Sequence, residues 1–331
     1  MSLTIGKAAD LINKAVNKIW LKASEKGTED FKKYAGVETG VTDYYFKDSS
    51  LSGLGYASRI IEDAVITEQT PVQGFDQTYT QVNYGSFMSF SEKMWKFGIK
   101  KRDLEKVTNE AFAACSDLRE QLFAERLENA FATSYTHSDE GGNFSVATAG
   151  GNTVELISNS QTREDGGTVN NNRITDGTTV NMALDYAGLK AAHRTASLMK
   201  SPKGKPLNIN LDTIVVARGS ANHFKAIELL GAIKKGKMPE SFDNDGAGVM
   251  GYQILPLAHW VSNTGYWYMI DSAQKSGRYP SLMYFEAQGI QKEGPNIVFK
   301  TGQIQHKASM WFAYGHNDYR NIVGSKGTDA A

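Results

Sequence analysis

From Ile99 to Ser134 the chain runs without a glycine or a proline. Within that stretch Leu104, Val107, Ala111, Ala114, Leu118, Leu122, Leu127, Ala130 and Phe131 recur mostly at intervals of three or four. This is the apolar stripe of an amphipathic helix. About 32 residues in that state make a rod of roughly 48 Å, longer than the ~30 Å width of a small domain. Such a helix cannot nest inside a compact ball, so it predicts a flat or elongated body.

The chain has 331 residues, 40% hydrophobic and 22% charged, the composition of a folded soluble protein of one elaborate domain or two. No run approaches the 18 apolar residues of a membrane span, and the first residues lack the apolar core and cleavage site of a signal peptide. With Cys115 the only cysteine, no intrachain disulfide can form. These features predict folding in a reducing cytoplasm. Thirty-six basic residues balance 36 acidic ones. Zero net charge disfavours a sequence-reading DNA-binding module and removes the self-repulsion that keeps copies apart.

Residues 5–26 place Ile5, Ala8, Ala9, Ile12, Ala15, Val16, Ile19 and Trp20 on one helical face, with Lys7, Lys14, Lys18 and Lys22 turned away. An Ala-rich stripe suits docking on a core or neighbour better than a membrane surface. Residues 36–55 turn to Gly, Ser and Thr, like an arm or linker. From 56 to 99, two β-type runs flank Pro71, Gly74 and Asp76, the second carrying Tyr79, Val82, Tyr84, Phe87, Met88, Phe90 and Trp95. The pattern predicts a long antiparallel hairpin, which needs a partner because an isolated ribbon is marginal in water.

Beyond the long helix, residues 137–180 are rich in Gly, Asn, Thr and Ser and predict short strands and exposed loops. Helices are expected at 180–199 and 221–233, and strands at 207–219, 251–260, 265–272 and 280–288. Two or three closing strands are separated by Gly302 and Gly315. That alternation predicts an α+β or α/β domain.

The motif search excludes more than it finds. Gly53-Leu54-Gly55 is only part of a dinucleotide fingerprint, and Gly204-Lys205 sits between prolines as a turn, where no phosphate-binding helix can start in the usual way. Asp243-Asn244-Asp245-Gly246 resembles the start of a calcium loop but lacks the later ligands. The six histidines form no HxxxH pair, Cys115 has no CxxC neighbour and falls on the apolar stripe, and no GxSxG elbow occurs. Asn143-Phe144-Ser145 fits a glycosylation sequon without a secretory context. No catalytic residue, cofactor or metal is predicted.

In order, the elements are a basic N-terminal helix and arm, a long hairpin, a very long helix, a Gly-rich region, an α+β domain and a strand return ending in Trp311-Phe312-Ala313-Tyr314-Gly315-His316-Asn317-Asp318-Tyr319-Arg320-Asn321-Ile322-Val323-Gly324-Ser325. Across nearly the whole chain this order resembles the tailed-bacteriophage major capsid protein of the HK97-like fold. The closing motif adds an aromatic strand, an acidic residue before an aromatic and Arg, and a hydrophobic pair. The resemblance implies an N-terminal helix and arm over 1–55, an E-loop hairpin over 56–99, and a P-domain with spine helix over 100–179. It further implies an A-domain over 180–289, with 243–249 in one of its loops, and a return to the P-domain over 290–331.

The same likeness implies a non-enzymatic shell subunit that meets copies of itself in pentamers and hexamers and encloses double-stranded DNA, assembled in a host cytoplasm into a virion. Implied partners are a separate scaffolding protein, a portal, decoration proteins and the packaged DNA through non-specific contact, with no membrane. No lysine lies between Lys47 and Lys93, so the covalent E-loop link of some such shells is not expected. Residues expected to serve assembly are Asp318, Arg320, Trp311, Tyr84, Phe87 and Trp95. An encapsulin-like nanocompartment shares the fold, and an α+β enzyme using His316, Asp318 and Arg320 is the reading of a different class. In a strand, His316, Asp318 and Arg320 would line one side and Asn317 and Tyr319 the other, a latch against the long helix or a neighbouring subunit.

Overall fold

In a computed structural model, the described residues are 5–26, 29–51, 54–57, 59, 68–71, 73–97, 100–234, 251–276 and 280–327. The long helix is α3, Lys101–Glu128, roughly 42 Å at 1.5 Å per residue. It stops short of the expected Ser134 with no glycine or proline to break it. Asn129 caps it by donating its side-chain amide to the Glu125 carbonyl at 2.8 Å, and the chain turns so that Ile157 N–H reaches the Ala130 carbonyl at 2.9 Å. Tertiary pairing ends this helix, and the apolar spacing from 129 to 134 carries no sign of it.

Two four-stranded sheets flank α3. The first orders β1 (Gly36–Thr39), β10 (Met283–Val298), β11 (Gln303–Gly315) and β4 (Val82–Phe90). The second orders β12 (Ile322–Ser325), β9 (Trp267–Ile270), β7 (Thr213–Ala217) and β8 (Gln253–Leu257). The C-terminal half of α3 joins them: Leu122, Phe123 and Leu127 share one core with Tyr284, Met310 and Phe312 of the first sheet and Val215, Tyr268 and Ile322 of the second. Tyr268 donates its hydroxyl to the Leu127 carbonyl at 2.6 Å.

The other face of the second sheet, with Ile214, Val216, Trp267 and Met269, packs in a core shared with Leu189 and Ala192 of α4 (Tyr186–Ser197) and Ala226 of α5 (Ala221–Lys234). Burial on both faces explains why the central strand reads as the unbroken apolar run TIVVA. The N-terminal half of α3 packs with α1 (Ile5–Lys26), where Ala8, Ala9, Ile12 and Val16 meet Phe90, Leu104, Ala111 and Ile304. Cys115 is buried in the core, and burial raises its thiol pKa, as expected of a packed thiol.

Several expectations need correction. The presumed linker 36–55 contains β1 and β2 (Tyr45–Leu51), and β2 pairs antiparallel with β3 (Gln73–Thr80). The aromatic run expected as one strand is two: β3 joins that ribbon, while β4 leaves after Gln81 to pair with β11. Residues 92–97 form a helix, α2 (Glu92–Phe97). A short mixed run offers both periods, and burial of Trp95 beneath it decides the outcome. The first half of the expected hairpin, together with Asp243–Val249, falls largely or wholly outside the described residues.

The helix expected from 180 starts at Tyr186, capped by the Asp185 carboxylate accepting from Gly188 N–H at 2.6 Å. A hairpin of β5 (Ser134–Asp139) and β6 (Gly142–Ala147) opens the Gly-rich region, and Gly204-Lys205 is a turn. The boundary expected at 289/290 falls inside β10. After β11 the chain adds β12 to the second sheet, beside strands expected in the A-domain.

Candidate assembly interface

The closing polar cluster is not a strand. Residues 316–321 form an irregular turn between β11 and β12, so alternation does not govern which way their side chains face. Their side chains reach several parts of the subunit. Arg320 is buried and places Nη2 2.6 Å from Oε2 of Glu164 and Nη1 2.5 Å from Oδ2 of Asp318. Its Nε donates to the Lys200 carbonyl at 3.2 Å. Burial opposes the guanidinium charge, but Asp318 and Glu164 outweigh it and raise the Arg320 pKa.

Tyr319 accepts from Asn170 at 2.9 Å and donates to the Thr162 carbonyl. Asn317 donates to the Asp48 carboxylate at 3.2 Å and to the Phe75 carbonyl at 3.3 Å, tying down the β2–β3 ribbon. His316 is fully enclosed, and burial, then the charge of Arg126 on α3, hold its pKa well below the usual value. The cluster is thus held within the subunit, by partners other than those expected of a strand-edge latch. Its ionic half closes on Glu164 and the Lys200 carbonyl, not on the long helix or a surface offered to a neighbour.

The other expected assembly residues divide. Tyr84 points into the core and stacks on Phe312 with centroids 4.9 Å apart. Trp95 is buried and donates its indole N–H to the Gly302 carbonyl at 2.9 Å, seating α2 on the β10–β11 turn. Trp311 lies half-buried on the outer sheet face, paired with Asn83. Only Phe87 is an open surface, 71% exposed beside Lys307.

The structure adds residues that sequence reading missed. Phe299, 99% exposed, opens the β10–β11 turn, and Phe97, 84% exposed, ends α2 at the same end of the sheet. Both rings stand open to solvent there. The available signal was Phe299 within three residues of Gly302, an aromatic in a turn.

A shallow cleft is lined by Asp30, Ser116, Asp117, Glu120, Leu257, Ala258 and His259. Burial raises the Glu120 carboxyl to about 7. That carboxylate is occupied, accepting Phe31 N–H at 3.2 and 3.3 Å. Among the described residues no three His, Cys, Asp or Glu side chains are grouped to hold a metal ion.

No protein-family model matches the sequence, and no curated protein matches it. Among solved structures, one titled Mycobacterium phage Patience is 10% identical and aligns over 97% of this chain and 88% of its own, with a TM-score of 0.51. The capsid of Myoviridae Phage XM1 is 10% identical over 90% of both chains, with a TM-score of 0.48. One titled Mycobacterium phage Bobi is 14% identical over 90% of both, with a TM-score of 0.47. At such identities the likeness is one of architecture, and the chain has the mixed α+β fold of the solved Mycobacterium phage Patience chain.

Proposed function

We propose that the chain is a major capsid protein of the HK97-like fold, a structural subunit that self-assembles into an icosahedral shell around double-stranded DNA. The observation that carries this reading is the fold, alignable over 97% of the chain with a structure from a phage. The β2–β3 ribbon takes the part of the E-loop, α3 that of the spine helix, and the second sheet with α4 and α5 that of the A-domain. A long helix bridging two sheets suits a plate-like subunit, and a two-stranded ribbon with open edges suits pairing with a neighbour. The exposed Phe87, Phe97 and Phe299 then lie where copies meet.

Assembly in this reading needs a separate scaffolding protein, with portal, decoration proteins and packaged DNA as further partners. The chain acts without a catalytic step, in the virion, after assembly in the host cytoplasm. Electron microscopy of the purified chain, expressed with and without a scaffold, tests both statements. Small oligomers under every condition would remove the shell reading, and uniform closed shells from the chain alone would remove the need for a scaffold.

A further inference from the structure

The outward face of α1 carries a second pattern, independent of the stripe that docks it. Lys7, Leu11, Lys14, Lys18 and Leu21 follow one another in steps of four, three, four and three. Together with Lys22 they fall within an arc of about 100°, opposite the buried Ala8, Ile12 and Val16, and run roughly 22 Å along the helix. Steps alternating between four and three form the 3.5-residue seam that a second helix reads. All four lysines are exposed, and among the described residues none pairs with a carboxylate. Leu11 and Leu21 stand 59% and 64% exposed within the same seam.

We propose that this face of α1 binds an acidic, amphipathic helix of a second polypeptide, its apolar residues covering Leu11 and Leu21 and its glutamates or aspartates meeting the lysines. Each competing occupant fails on one feature. A second copy of α1, if parallel, would set lysine against lysine at three of the five seam positions. If antiparallel, it would set Lys14 against Lys14 and leave Lys7 and Lys18 against Leu21 and Leu11 with no carboxylate to meet them. Phosphate backbones reward lysines and leave the leucines wet. A lipid surface needs a wide apolar stripe, and that of α1 is already spent on Leu104, Ala111 and Phe90. The inference rests on the shell reading only in naming the partner's role, because this is the surface a separate scaffolding protein would engage.

The test uses full-length chain and a synthetic helical peptide of about 21 residues, with leucines and glutamates in a 3.5-residue seam. Its binding is followed by fluorescence anisotropy. Binding is expected, weakened about tenfold or more by Leu11→Gln with Leu21→Gln and separately by Lys14→Glu with Lys18→Glu. A peptide with lysines in place of its glutamates should recover binding to the Lys14→Glu, Lys18→Glu chain. Lys14→Gln with Lys18→Gln serves where charge reversal perturbs the helix, as judged by melting temperature.

Absence of peptide binding overturns the proposal. So does binding to duplex DNA of about 20 base pairs or to anionic vesicles that is lost with the lysines and indifferent to the leucines. Micrographs of the same preparations separate the two readings. Shells that fail to bind the peptide sink this inference alone, and peptide binding by a chain that never forms shells sinks the capsid reading alone.

Discussion

Arg320 reaches Glu164 across 156 residues of chain, two guanidinium nitrogens on two carboxylate oxygens at 2.6 and 3.1 Å, with both side chains at most 4% exposed. This bidentate pair, with Asp318 completing it, fastens the last turn to the Gly-rich region. It decides how the C-terminus contributes: by holding the subunit together.

Arg320→Ala should therefore unfold the subunit before it affects any contact between copies. Removing one partner of a buried, hydrogen-bonded pair costs about 3–5 kcal/mol, and Glu164→Gln should cost less because the amide still accepts. Melting of the unassembled chain checks this. An unchanged midpoint together with lost assembly would return Arg320 to an intersubunit role.

Asn317 controls the ribbon. Its amide holds Asp48 and Phe75, while Gly151 packs so close that an added Cβ would lie 2.9 Å from Phe75. Asn317→Ala should speed amide exchange in β2 and β3 and leave α3 protected. Exchange measured by mass spectrometry reads both segments at once, and equal protection of the ribbon in variant and parent would count against the tie.

Glu120 makes stability depend on pH in a defined direction. Burial lifts its carboxyl from near 4.5 to about 7, against the Phe31 N–H that lowers it and with Asp30 and Glu29 raising it. Between those values the folded state holds a proton that the unfolded state has released, so this group's contribution falls as pH rises through the window and is flat above it. Glu120→Gln should raise the melting temperature relative to the parent at about pH 8 and lose that advantage near pH 5. A difference independent of pH would contradict the assignment.

Phe299→Ser should leave the melting temperature nearly unchanged, because a 99% exposed ring contributes little to the subunit's own core. Particle yield should nonetheless fall if this turn meets a neighbour. Normal yields from Phe299→Ser combined with Phe97→Ser would place the contact elsewhere.

Particles boiled in detergent should run as monomers on a denaturing gel, since the ribbon's lysine, Lys47, is paired with Asp76 and no other lysine lies between it and Lys93 to form a covalent link. A ladder of subunit multiples would show that another lysine does so.

The amino-acid sequence alone determined the elements whose side chains repeat with a clear period. The stripe from Ile5 to Trp20 specified α1 and its buried face, the run from Leu104 to Leu127 specified α3, and TIVVA specified a strand covered on both sides. Their spacing encodes local geometry directly. Tertiary structure alone decided that α3 stops at Glu128, that Gln81 divides one aromatic run between two sheets, and that His316, Asn317 and Arg320 face three different parts of the subunit. Those outcomes depend on partners far away in sequence, such as Glu164, 156 residues from Arg320, and Asp48, 269 residues from Asn317. A turn without a period carries no sign of which of them it will meet.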